Sequence, residues 1–333
     1  MPRVAAAEPV GRRVVVRRAV LRPDDRPRYA DVVGVLVDAG PAALSVRRRD
    51  GTVVEVPRAE VRVLKVVPAA PADVLALEEV AALGWPAPHT RRLGRWLLRA
   101  AEGWTGRANS VLPLGDPGLP LDDALAEVTA WYAGHGLPGR LAIPLPGREA
   151  LDAALARRGW SAYNHTQVLT ADVGVTLRSL PERADLPPVE IEPVPGDDWV
   201  AAYHYRGDSG LPPVGRAILT GSERPGFAVV RSGRSGGSGG SASPALAIAR
   251  ASLDRGWMGV TAVEVDPAHR RRGLASHVMR ALLGWAAESG APDVYLQVAD
   301  ENEAALALYD RIGFAPHHRY HYRLAPAQPS RRS

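Results

Sequence analysis

The residues best able to do chemistry stand in one run, Val263-Glu264-Val265-Asp266-Pro267-Ala268-His269-Arg270-Arg271-Arg272-Gly273-Leu274-Ala275. Three arginines and a glycine, set between a β-branched stretch that stops at a proline and an apolar-periodic helix, suit an anionic ligand. A tight turn there lets backbone N–H groups converge at a helix N-terminus, where the helix dipole also favours phosphate oxygens. Gly273 permits close approach, because a Cβ would stand between backbone and ligand. The helix that follows carries Val278, Met279, Leu282 and Trp285 on one face and so packs onto a sheet. Further on, Asn302 suits an N-cap, and Tyr309 lies two helical turns onward on nearly the same face. Taken singly, Asn302 reads as a cap and Tyr309 as a core aromatic. Glu264 is the obvious carboxylate for acid–base work. Strand alternation sets its side chain opposite those of Val263 and Val265, unless a bulge changes the facing.

In order and spacing this run resembles the cofactor motif of the GNAT acetyltransferases, a strand ending in apolar-x-Val-x-Pro followed by Arg/Gln-x-x-Gly-x-Gly/Ala and a helix; Arg270, Gly273 and Ala275 fill the three defining positions. Asn302-x-x-Ala305-x-x-x-Tyr309-x-x-x-Gly313-Phe314 resembles the later segment of the same family. The resemblance covers residues 189–324 in architecture, with its specific motifs within 263–314. It implies acetyl-CoA as acyl donor, held by Arg270, Arg271, Arg272, Gly273, Leu274, Ala275 and Ser276 at its phosphates. It also implies that the strand backbone at Val263 and Val265 pairs with the pantetheine amides, that Asn302 lies near the pantetheine arm, and that Tyr309 sits beside the sulfur as general acid. The reaction it implies is attack of a neutral amine on the thioester, which needs a base, a polarised carbonyl and a proton for the departing thiolate. For the base, Glu264 and a water-mediated route stand as equal alternatives. Tyr203, His204, Tyr205 and Asp208 fall where the family's acceptor-binding helices run. His317, His318 and His321 have no carboxylates or cysteines at ligand spacing, so they read as a polar-faced strand near the acceptor and no metal is expected. Two function classes follow: N-acetyl transfer to a primary amine of a small molecule, amino acid or protein, or non-catalytic acyl-CoA binding in a regulatory protein.

The elements that must position these residues divide into three. Residues 12–66 read as about five short strands, from valine runs such as Val14/Val16, Val33/Val35/Val37 and Val61/Val63/Val66, with Asp50-Gly51 as a hairpin signal. That pattern suits a small closed barrel, Src-homology-3-like in order and spacing. After a Pro/Ala stretch, strands and helices alternate to the C-terminus. One unit occurs twice: Trp131, Gly136 and Pro138 match Trp285, Gly290 and Pro292, and Gly159-Trp160 matches Gly313-Phe314, all at an offset of 154 residues. Both copies read helix, Gly-x-Pro turn, strand, helix, Gly-aromatic, strand. Opposite the basic turn, however, the first copy has Gly115-Asp116-Pro117-Gly118-Leu119-Pro120, and opposite Tyr309 it has Leu155, so it lacks what CoA pyrophosphate requires. A tandem of this kind resembles GNAT proteins with one degenerate and one active half, the actinobacterial mycothiol synthases among them. The expected architecture is an α/β (α+β) tandem GNAT fold behind a small all-β barrel: barrel 1–68, degenerate half 72–184, acetyl-CoA-binding half 187–333. A Gly/Ser-rich loop over Ser232–Pro244 separates two strands of the last unit.

Composition narrows the classes. With 333 residues and about 150 per domain, two or three units are expected. The absence of cysteine removes disulfides, thiolate metal sites and a cysteine nucleophile together. No apolar stretch approaches the roughly 20 residues that cross a bilayer, and the N-terminus lacks a long apolar signal core, so no membrane contact and a cytoplasmic location are expected. Residues 1–66 hold fourteen Arg and Lys against eight Asp and Glu, while the whole chain is only +5. A basic first unit invites nucleic acid, but acidic residues interrupt the runs and no aromatic row offers a stacking platform, which favours a protein partner.

Overall fold

The computed structural model of the chain describes residues 8–20, 28–205, 208–232 and 244–327. The first unit is five antiparallel strands, β1 (Arg13–Val20), β2 (Arg28–Ala39), β3 (Ala43–Arg47), β4 (Val53–Pro57) and β5 (Val61–Val66), in the order β4-β3-β2-β1-β5. Alternation explains its core, in which Val14, Val16, Val32, Leu36, Leu44, Val46 and Val56 are all buried. A 3-10 turn at Arg58–Glu60 carries the chain from one edge strand to the other, so the ends meet through that turn; among the described residues no ladder pairs β4 with β5.

Next come α1 (Pro71–Gly84), β6 (His89–Leu93), β7 (Trp96–Ala100), β8 (Leu112–Pro113), α2 (Leu121–Gly134), β9 (Arg140–Leu145), α3 (Glu149–Arg157), β10 (Ser161–Asp172) and α4 (Val173–Ser179). The last third holds β11 (Val189–Glu192), α5 (Asp197–Ala202), β12 (His204–Tyr205), β13 (Asp208–Ser209), α6 (Pro213–Thr220), β14 (Pro225–Arg231), β15 (Ala245–Asp254), β16 (Trp257–Val265), α7 (Leu274–Glu288), β17 (Asp293–Ala299), α8 (Glu303–Arg311) and β18 (Ala315–Leu324). The repeat is visible here as α2-β9-α3-β10 and α7-β17-α8-β18, with α3 and α8 in register at the offset of 154. The Gly/Ser loop lies almost wholly outside the described residues; its ends meet, Ser232 N–H donating to the Pro244 carbonyl at 3.3 Å.

The copies are not separate bodies. One eight-stranded sheet runs β11-β14-β15-β16-β17-β10-β18-β9. The final strand of the first copy, β10, is inserted between β17 and β18, and β18 in turn pairs with β9 of the first copy. Each copy has thus exchanged its last strand with the other, and the two exchanged strands pair with each other. The junction near residue 185 divides the chain but not the sheet. The barrel docks on one end of that sheet through Arg47, whose guanidinium lies 2.9 Å from Asp172 and 2.6 Å from Asp293.

Candidate active site

The site begins with a bulge. Ile248 pairs with Glu264 and Arg250 with Thr261, so β16 carries one residue more than β15 over this interval, and Ala262 takes φ +54° to absorb it. The facing of the strand changes there. Met258 and Val260 pack with the α7 face of the sheet, and simple alternation would add Glu264 to them. Instead Val263 and Val265 pack on that face, while Ala262 and Glu264 come out on the other, beside α5. On its other edge β16 runs parallel to β17 only over Trp257–Val260 against Asp293–Leu296, after which the strands diverge. A cavity of about 350 Å³ opens in the wedge, bounded by Thr261–Glu264 on one side and Gln297–Ala299 on the other.

Glu264 stands at the α5 end of this cavity. Its carboxylate accepts from the His204 backbone N–H at 2.9 Å and lies 3.3 Å from His204 Nδ1. Burial raises its pKa above the ordinary glutamate value, opposed by the His204 contacts. His204 Nδ1 is also 3.0 Å from the Ala202 carbonyl. A carbonyl only accepts, so Nδ1 carries the proton of the neutral ring and Nε2 is left as its acceptor. Tyr203, the preceding residue, is buried and stacks on Trp199 at 5.4 Å, which fixes the end of α5. Tyr205 and Asp208 contribute backbone to β12 and β13, but their side chains fall outside the described residues.

Across the cavity are Asn302 and Tyr309. Asn302 Oδ1 caps α8 by accepting from Ala305 N–H at 3.1 Å. Tyr309, buried, packs edge-on against Phe314, and its hydroxyl has no hydrogen-bond partner among the described residues. Desolvation alone drives its pKa up, so the phenol holds its proton at neutral pH and is a donor rather than a base.

Beyond the wedge, Gly273 is the N-cap of α7 at φ +86°, with Arg271 at φ +64°. No side chain caps this end, and the first helical bond is His277 N–H to the Gly273 carbonyl. The N–H groups of Leu274, Ala275 and Ser276 are therefore free of helical partners, which is what a pyrophosphate needs. Arg270 Nε donates to the Val265 carbonyl at 3.2 Å, and Arg270, Arg271 and Arg272 are exposed around the turn. A Cβ at Gly273 would collide with the guanidinium of Arg183, which also donates to the Arg272 carbonyl at 3.3 Å and pairs with Asp185. The residues thus fit a phosphorylated donor: an open helix end, a glycine without Cβ and four arginines. In the first copy the corresponding loop is filled by itself. Gly118 N–H donates to Asp116 Oδ1 at 2.8 Å, Arg95 N–H donates to the Asp116 carbonyl at 2.7 Å, and the Gly94 turn presses on Pro117.

Val263, Glu264, Asn302, Tyr309, Tyr203 and His204 therefore line one cavity, whereas Val265 and Arg270–Ser276 lie outside it along the path to α7. The histidines of β18 are not at the cavity. His318 Nε2 pairs with buried Glu78 at 2.9 Å and His321 Nε2 with Asp152 at 2.7 Å; the β18 residues that face the wedge are Tyr320 and Tyr322. Sequence reasoning missed Arg183, and it missed the wall supplied by the first copy: Trp85, Thr105, Gly106, Arg107, Asn164 and Thr166. No periodicity marks them: Asn164 and Thr166 arrive on the exchanged strand β10, and Trp85, Thr105, Gly106 and Arg107 arrive from segments after α1 and between β7 and β8, so neither placement leaves a trace in local pattern.

Residues 71–323 match the family described as "Probable histone acetyltransferase Rv0428c C-terminal", and residues 8–65 match "Rv0428c N-terminal Sm-like domain". The small barrel expected in front is thus Sm-like in this comparison. The probable histone acetyltransferase Rv0428c of Mycobacterium tuberculosis is 33% identical over 329 residues, 96% of each chain. The uncharacterized N-acetyltransferase YobR of Bacillus subtilis is 30% identical over 256 residues, 76% of this chain and 98% of its own. Among solved structures, a tandem GNAT protein from the clavulanic acid biosynthesis pathway superposes with TM-score 0.56 at 15% identity, covering 79% of this chain and 91% of that one. A GCN5-related N-acetyltransferase from Kribbella flavida gives 0.53 at 17% identity, covering 77% and 96%.

Proposed function

The chain belongs to the GNAT acetyltransferase family that includes probable histone acetyltransferase Rv0428c, and from that premise we propose that it transfers an acetyl group from acetyl-CoA to a primary amine with Glu264 as base and Tyr309 as acid. The observation that carries this reading is the bulge at Ala262, which turns Glu264 into the same cavity that Tyr309 enters from α8. Acetyl-CoA supplies an activated acyl group. The chain supplies the proton traffic. Glu264, with its pKa raised by burial, is matched to taking a proton from an ammonium, and His204 holds it in place. Tyr309 keeps its proton until a leaving group needs one. Ala262 and Val263, outside the β15 register, leave backbone beside the wedge for polarising a carbonyl.

The test is thiol release from acetyl-CoA with a panel of amines, followed as kcat/KM against pH. Activity should rise as Glu264 loses its proton, with an acid limb above the ordinary carboxylate range. Glu264→Gln should remove that limb and lower the rate by about 10²- to 10⁴-fold. A variant with the wild-type profile would leave the base to water and overturn the assignment of Glu264.

A further inference from the structure

The cavity wall given by the first copy is built with unusual care around one cation. The segment 101–109 is organised by Asn109, which is buried and uses its whole amide. Its Oδ1 accepts from Ala101 N–H at 2.8 Å and Gly103 N–H at 3.0 Å, and its Nδ2 donates to the carbonyls of Trp104 and Thr105, both at 2.8 Å. Thr105, a β-branched residue, is held at φ +64°, and Glu102 at φ +50°. Such backbone persists only where its surroundings over-determine it, and it concentrates at ligand sites. Thr105 Oγ1 in turn accepts from Trp85 Nε1 at 3.1 Å, and Trp85 stacks on Trp104 at 5.7 Å and 13°. Gly106 lies against Tyr322, whose ring a Cβ would meet at 3.0 Å.

What this scaffold presents is Arg107. Its guanidinium lies 4.7 Å above the Trp85 ring and lines the cavity, and among the described residues it has neither an ion-pair partner nor a hydrogen-bond acceptor. A second cation, Arg250, sits 5.4 Å from the same ring, fully buried, with Nη1 unsatisfied; its Nε and Nη2 are spent on the Leu219 carbonyl and Ser222. Burial pushes Arg250 down to about 10, with the Arg107 charge acting in the same direction and Asp254 against it. Glu264, the carboxylate in the cavity, is engaged by His204 and makes no ion pair with Arg107. The cavity therefore has a fixed positive end with no anion of its own and a carboxylate at another wall.

We propose that Arg107 anchors a carboxylate carried by the acceptor, so that the acceptor is a small amine of amino-acid type whose ammonium faces Glu264 while its carboxylate pairs with Arg107. A guanidinium held over an indole keeps its planar fork of N–H donors, the geometry that pairs with a carboxylate in bidentate fashion. A lysine side chain within a protein carries no carboxylate to place there. This inference rests on the transferase reading of the same cavity. It assigns the first copy, which lacks a donor turn, the acceptor's anchor.

Binding to the full chain saturated with CoA reads the proposal directly, because Trp85 lies under Arg107 and reports through its fluorescence. The ligands are the proteinogenic amino acids and their carboxamides. At least one amino acid should change the emission, and its carboxamide should bind about tenfold to a hundredfold more weakly. Arg107→Gln should weaken the acid by the same factor and leave the amide unchanged, with Arg107→Lys between. Equal binding of acid and amide, an Arg107→Gln variant that still prefers the acid, or no response to any amino acid overturns the proposal. Thermal stabilisation of Arg107→Gln by acetyl-CoA should equal that of wild type. Loss of that stabilisation in wild type itself would instead strike the transferase reading.

Discussion

Replacing Arg47 by alanine tests how the barrel is held. Arg47 ends β3 and reaches the other unit, where its guanidinium meets Asp172 Oδ2 at 2.9 Å, Asp293 Oδ1 at 2.6 Å and Asp293 Oδ2 at 3.0 Å. The two aspartates are register partners across β10 and β17, so they face one another with one cation between them. All three side chains are less than one-fifth exposed. Without the arginine, two carboxylates roughly 5 Å apart repel by about 3 kcal/mol at an effective dielectric of ~20, and breaking a buried pair on one side generally costs about 3–5 kcal/mol. At about 2–4 °C per kcal/mol the melting temperature should fall by roughly 6–20 °C. The loss should be pH-dependent. In the variant Asp293, whose pKa burial and the Asp172 charge already hold above the ordinary value, loses the Arg47 contacts that oppose the rise, so the folded state binds a proton that the unfolded chain has already lost, and stability recovers as pH falls toward the ordinary carboxylate range. Calorimetry at pH 5 and pH 8 measures both effects. The triple change Arg47→Met, Asp172→Asn and Asp293→Asn should recover most of the loss, since asparagine keeps the cap that Asp172 gives to Val175 N–H. A single variant within 2 °C of wild type, or a triple variant less stable than the single one, would refute this account of the docking.

The donor turn and the exchanged strands give two further expectations. Acetyl-CoA at a hundredfold excess over Kd should stabilise the chain by about 2.7 kcal/mol, with one site by titration calorimetry, and Gly273→Glu should abolish the shift because a side chain there meets Arg183 and sets a carboxylate among phosphates; two equivalent sites would show that the Asp116–Pro117 loop of the first copy opens. A fragment of residues 185–333 should be insoluble or unfolded, because it lacks β10 and β9 and so bares edges of β17 and β18; a soluble monomeric fragment with wild-type activity would show that the exchange is dispensable.

Local chemistry wrote much of this molecule into its sequence. The valine runs mark the barrel's strands but only part of its core: Val14, Val16 and Val56 are buried, whereas β2 buries Val32 and Leu36 and turns Val33 outward, β5 exposes Val63 and Val66, and β3, Ala43-Leu44-Ser45-Val46-Arg47, contributes a single buried pair, Leu44 and Val46. The uncapped turn at Gly273, the cap at Asn302 and the register of α3 with α8 follow from residue types at fixed spacing, since each depends on neighbours within a few residues. Three things depended on the tertiary structure. The facing of Glu264 was set by a bulge that exists only relative to β15. The positions of His318 and His321 were set by Glu78 and Asp152, 240 and 169 residues away. Above all, β10 crossed into the other copy's sheet and brought Asn164 and Thr166 with it, while Arg107 reached the same cavity from the first copy. A strand's period of two specifies which face it buries and is satisfied equally by either neighbour, so the choice of partner belongs to the packing of the whole.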